Sequence, residues 1–187
     1  MGEFKIETEN KVNLVAMTGF MGSGKTEALK CVQEILSEAN IPHTSIKFAQ
    51  PLYDLQAHLY WYIGKEEPVK DRKLLQFLGT DWGRSISPNL WVDIWGSKVL
   101  QCSTSMFRNT VLNDDCRFQN EADKVRELGG VVIRIHGPTR GDFISNQSHE
   151  SEREIAMIKP DFWIYNGGDR DALKNNLRDA LLEMRVL

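Results

Sequence analysis

Along this chain, short apolar runs alternate with longer stretches in which apolar residues return every three or four positions. The runs VNLVAMT, TSIKFA, NTVLND, VVIRIH and DFWIYN have the length and composition of strands. Ala28, Val32, Ile35, Leu36 and Ala39 share one helical face, as do Leu173, Leu177, Ala180, Leu181 and Met184, so both segments predict helices packed on a core. Strands alternating with helices predict an α/β fold, a parallel five-stranded sheet flanked by helices, and not a sandwich. Two segments interrupt the alternation: a helical, Trp-rich stretch over 51–105 and the polar GPTRGDFISNQSHESE over 137–152. No repeat or low-complexity tract accompanies them. They read as insertions in one domain whose core covers about 12–50 and 105–187.

Composition narrows the function. A chain of 187 residues, 41% of them hydrophobic, suffices for one domain with a sizeable core. A net charge of -3 with a pI near 5.8 argues against binding a nucleic-acid polymer by neutralising its phosphates, so any cationic site is local. Cys31, Cys102 and Cys116 are widely spaced and form no CxxC, which reads as reduced structural thiols. The charged start MGEFKIETEN lacks a signal-peptide core, Ile6 stands where a myristoylation signal needs Ser or Thr, and no run nears a membrane span. A cytoplasmic location is expected, in which the Asn146 sequon has no glycosylating partner.

The sharpest signal lies where the first strand ends. In MTGFMGSGKT, Gly19, Gly24, Lys25 and Thr26 fit GxxxxGK[ST], with an additional Gly22. Glycines let successive backbone N–H groups point at phosphate oxygens, and a helix opening at Lys25 adds the positive end of its dipole. Lys25 is expected to reach the β and γ phosphates, and Thr26 to offer its hydroxyl to Mg²⁺. The loop Gly19, Met21, Gly22, Ser23, Gly24, Lys25 and Thr26 thus predicts a nucleoside triphosphate site.

Binding alone does not name a reaction. A switch GTPase needs NKxD, which is missing, and the DxxG of Asp93 to Gly96 falls in a helical run. A transporter-type ATPase needs an LSGGQ-like signature and an apolar strand ending in Asp-Glu, and neither is present. Small kinases fit the size. In VKDRKLLQFLGTDWGR, Arg72 and Gln76 share a helical face opposite Leu74, Leu75 and Leu78, and Arg84 follows the Gly79 break. Such guanidinium forks suit a phosphate monoester, although a solvated surface helix would carry the same spacing.

Four blocks then resemble the bacteriophage deoxynucleoside monophosphate kinases, relatives of adenylate kinase among the P-loop kinases. They are GFMGSGKT; FAQPLYDL followed by LLQFLGTDWGR and NLWV; DDCRFQNEADKVRELGGVVIRI; and HESE with DFWIYNGG, reaching from residue 14 to about 185. The resemblance implies a P-loop kinase fold with a helical monophosphate-binding insertion at about 51–105 and a short lid at about 137–152. It implies transfer of the γ-phosphoryl group of ATP, with Mg²⁺, to the 5′-phosphate of a deoxynucleoside monophosphate. Partners would be small nucleotides, with no membrane and no nucleic-acid polymer; a homodimer stays open, and the setting would be the cytoplasm of an infected host.

By position, Asp54, Arg72, Gln76, Asp81, Arg84, Trp91 and Asp115 would belong to the acceptor side. Arg117 would face the phosphates, and Asn166 and Gly167 would flank the donor adenine; Arg117 and Glu121, four apart, also have the spacing of a local pair. Asp115 would hold a metal-bound water or orient Arg117; capping of a helix beginning near Arg117 by Asp114 and Asp115 is the plain alternative. Arg140 is expected as the lid cation, with Arg134 and Arg153 as alternatives, because Gly137 precedes Pro138 where the family often has arginine. His149, Ser151 and Glu152 match the family without a derivable role. For Trp82, Trp91 and Trp95, core packing is expected for at least two. A phosphate monoester is already an oxyanion and needs no base, so Lys25, Arg117, Arg140 and Mg²⁺ suffice as catalysts. Kinases of other phosphorylated acceptors, such as phosphomevalonate, share several blocks, and a non-catalytic nucleotide-binding regulator is the alternative from another class.

Overall fold

A computed structural model describes residues 13–103, 109–137 and 150–187. At its centre is β1, Leu14–Thr18, buried along its whole length. The sheet adds β2 (His43–Ser45), β3 (Thr110–Asn113), β4 (Val131–His136) and β5 (Phe162–Tyr165), all parallel, in the order β2-β3-β1-β4-β5. Because side chains alternate along a strand, β1 feeds two cores. Val15 and Met17 pack with Ile133, Ile135 and Ile164 against α1 (Lys25–Glu38) and α8 (Arg170–Glu183). Leu14 and Ala16 pack with Val111 and Val132 against Trp95, Val99, Ala122 and Val125 on the other face.

The second face is covered by α5 (Leu90–Ser103) and α6 (Gln119–Glu127). Between β2 and α5 run α2 (Gln50–Tyr62), α3 (Arg72–Gln76), a π-helical segment Phe77–Trp82 and α4 (Gly83–Ile86). The last helix before β5 is α7, Glu150–Met157. Opposite charges lace α1 to α8: Arg170 meets Glu27 and Glu34, Lys174 meets Glu34 and Glu38, and Arg178 meets Glu38. Solvent-exposed pairs of this kind add little individually. The apolar stripes of the two helices do the packing.

Two boundaries differ from the sequence reading. TSIKFA was expected to be a strand throughout, yet β2 stops at Ser45 and Gln50 N–H turns back to the Lys47 carbonyl. Phe48 leaves the ladder because its ring stacks on Trp95, with centroids 4.0 Å apart, while its amide goes to a side chain. The helix expected near Arg117 begins at Gln119, but the amides of Arg117 and Phe118 at its start go to Glu121 from within the helix, and Asp114 and Asp115, the alternative caps, are taken up by Lys47 and by the amides of Phe48 and Ala49.

Candidate active site

The carboxyl ends of β1, β4 and β5 converge on the glycine-rich loop, at the sheet edge where open α/β folds take ligands. Gly24 opens α1 with φ 93°, a left-handed conformation that glycine adopts without strain. A Cβ there would stand 2.1 Å from Asn166 Nδ2, and one at Gly137 would stand 2.8 Å from the Ser23 carbonyl oxygen. Asn166 itself donates to that Ser23 carbonyl at 3.0 Å. Gly167 follows it, exposed. Lys25 Nζ folds back onto the carbonyls of Gly19 at 2.6 Å and Phe20 at 2.9 Å. Met21, Gly22 and Thr26 are exposed, and the hydroxyls of Thr18 and Ser23 are buried without a hydrogen-bond partner.

Beside this loop, β3 is followed by two carboxylates with different surroundings. Asp114 is buried and pairs with Lys47 at 3.1 Å. Asp115 Oδ1 accepts from Phe48 N at 2.9 Å and Asn113 Nδ2 at 2.8 Å, and Oδ2 accepts from Ala49 N at 3.0 Å. Burial pushes the Asp115 carboxyl up from its ordinary value, and the backbone amides oppose that shift. With Oδ1 taken by two donors, Oδ2 keeps one lone pair open. Among the described residues, no group of three or more His, Cys, Asp or Glu side chains is arranged to hold a metal.

On the side of α3 and α4, Arg84 lies with its guanidinium 3.6 Å from the Phe118 ring centroid and 3.4 Å from Glu121 Oε1. That contact brings Arg84 against the turn carrying Arg117. Trp91 is buried and donates to the Gly79 carbonyl at 3.0 Å, where it walls the π-helical segment; a Cβ at Gly83 would lie 2.4 Å from Trp91 Nε1. Arg72, Gln76 and Asp81 are exposed on α3 and that segment. Asp54, also exposed, accepts from Gln50 and pairs with Lys98 at 3.6 Å. Trp91 and Trp95 are core residues, whereas Trp82 is 42% exposed.

Arg134, an alternative for the lid cation, has another task. It is buried on β4 and donates to the carbonyls of Ile155 and Ile158 at the end of α7. Arg140 and His149 lie outside the described residues, as does nearly all of the expected lid; Arg153 is exposed on α7. The sequence reading missed Glu121 as more than a local partner of Arg117. It also missed Phe118 beneath Arg84 and Lys47 beside Asp114. Spacing of four signalled Arg117 with Glu121, but the carboxylate takes the Arg117 main-chain amide.

A family model described as deoxynucleotide monophosphate kinase matches residues 4–177. The chain is 32% identical over 164 residues to "Putative deoxynucleotide monophosphate kinase" of Acanthamoeba polyphaga mimivirus, covering 78% of this chain and 83% of that protein. Similar solved structures include a dephospho-CoA kinase from Campylobacter jejuni, at 15% identity, TM-score 0.48, and 93% and 98% coverage of the two chains. They also include an APS kinase from Mycobacterium tuberculosis, at 15% identity, TM-score 0.49, and 92% and 98% coverage.

Proposed function

This chain belongs to the deoxynucleotide monophosphate kinase family, and from that premise we propose that it transfers the γ-phosphoryl group of ATP to the 5′-phosphate of a deoxynucleoside monophosphate, giving the diphosphate and ADP. The observation that carries the reading is the strand-to-helix amide cradle at Gly19–Thr26, with Lys25 inside it and Asn166 closing it. Arg84, drawn against the Arg117 turn, supplies the second half of the site.

In this reading the loop amides and Lys25 bind the donor phosphates, and Asn166 and Gly167 border its base. Arg72, Gln76, Asp81 and Arg84 take the monophosphate, with Trp91 shaping the wall and Asp54 at the margin. Arg117 and Arg140 neutralise charge on the transferring group. No general base is required, since the acceptor oxygen is already anionic; alignment and charge neutralisation remain. Thr26 and the open lone pair of Asp115 would hold a magnesium ion, which would supply shielding between the donor's phosphates and the incoming anion.

A panel of deoxynucleoside monophosphates, their ribose counterparts and phosphomevalonate, each assayed with labelled ATP, tests the proposal. Transfer should occur to deoxynucleoside monophosphates and fall by about 10²-fold or more in Lys25→Ala. Arg72→Ala should chiefly raise KM for the monophosphate. ATP binding without transfer to any acceptor would favour a regulator and end this reading.

A further inference from the structure

Glu121 sits in the first turn of α6, where a surface carboxylate would suffice as a cap, yet it is 5% exposed. Its Oε2 accepts the amides of Arg117 at 2.7 Å and Phe118 at 3.1 Å. Its Oε1 faces Arg84 Nη2 at 3.4 Å. Phe118 covers one face of the same guanidinium, and the Pro88 carbonyl stands 3.4 Å from Nη1. One carboxylate thus fixes an edge of Arg84 and the main chain of Arg117. Of the five N–H groups on Arg84, these contacts use two and leave the others for an anion. A carboxylate is costly to bury, and capping alone does not require it.

We propose that Glu121 is a positioning residue for the acceptor: it aims the Arg84 guanidinium at the phosphate that Arg117 also meets. The inference rests on the assignment of Arg84 to the acceptor side. The charged and titratable groups facing Glu121 are Arg84 from α4, with Asp115 and Cys116 from the turn before α6. Burial raises its carboxyl to about 7, while the two amides and Arg84 pull the other way. Below that pH the neutral carboxyl holds Arg84 more weakly, and the acceptor site loses its alignment.

Steady-state kinetics over about pH 5.5 to 8.5 on wild type, Glu121→Gln, Arg84→Ala and the double variant separate the roles. Glu121→Gln should raise KM for the monophosphate about tenfold and leave KM for ATP within about twofold. On the Arg84→Ala background it should add nothing, because it acts through that side chain. The acid limb of kcat/KM for the monophosphate, near 7 in wild type, should drop to the phosphate's own second ionisation near ~6 in Glu121→Gln. Equal losses on both backgrounds, or one pH profile shared by wild type and Glu121→Gln, would reduce Glu121 to a helix cap. If Arg84→Ala leaves KM for the monophosphate unchanged, the acceptor assignment itself fails, and that failure is visible without Glu121. Should Glu121→Gln not fold, the wild-type profile decides: an acid limb at the phosphate's ionisation alone overturns the proposal.

Discussion

Replacing Arg134 by Met separates a structural arginine from a catalytic one. Arg134 is 7% exposed, donates to Ile158 O at 2.6 Å and to Ile155 O, and lies 5.0 Å from the Trp163 ring centroid. The two carbonyls belong to the end of α7, where helix geometry leaves acceptors without partners. Met keeps the apolar stem and approximate volume but offers no donor. Each stranded carbonyl costs about 1–3 kcal/mol, and relief from burying a guanidinium returns part of that. The net loss should be about 2–4 kcal/mol. In a domain of this size it lowers Tm by about 5–15 °C. Urea unfolding measures the first quantity and calorimetry the second. Activity per folded molecule, measured well below the transition, should stay within about threefold. A loss under about 1 kcal/mol together with a kcat reduced by about 10²-fold would refute the argument and return Arg134 to the transferring phosphate.

Gly24→Ala places a methyl group 2.1 Å from Asn166 Nδ2 at a φ of 93°, so ATP affinity by calorimetric titration should fall by at least about tenfold. Asn166→Ala in the same chain should restore part of it, and unchanged affinity in Gly24→Ala would contradict the packing. For Glu121, whose carboxyl rises from 4.5 to about 7 on folding, the folded state binds more protons between those values. Its contribution to stability therefore declines as pH rises through that window and is level above it. Relative to Glu121→Gln, wild type should lose up to about 3 kcal/mol across the window, and parallel stability curves would exclude the effect. Trp82 is 42% exposed beside buried Trp91, so a monophosphate should perturb tryptophan emission, and Trp82→Phe should diminish the response. Emission unchanged by saturating monophosphate would place the ligand elsewhere.

The parts of the fold legible in the sequence are those fixed by near neighbours. The apolar run Leu14–Thr18, the glycines after it and the stripe Ala28 to Leu36 lie within one strand–turn–helix, and each local preference agrees with the others. Phe48 was misplaced because its conformation is decided by Trp95 and by Asp115, 67 residues away in sequence. Asp115 invited a capping role for the helix that follows it, whereas it caps the approach to α2. Arg134 looked like any basic residue near a polar loop. Only the arrival of α7 above β4 shows that its charge is spent on two carbonyls. Glu121 was visible as one member of a pair at helical spacing, and its tie to Arg84 depends on how α4 meets α6.

The bond from Asn166 to the Ser23 carbonyl spans 143 positions of sequence. During synthesis, chains emerge from the amino end and their early segments gather first. Ser23 and its neighbours leave the ribosome long before the amide that braces them. A nascent chain halted anywhere ahead of β5 would own the phosphate motif in full and still lack this strut. Nucleotide retention by stalled chains of increasing length should therefore appear late, as a step near residue 166, and not when the glycines first emerge.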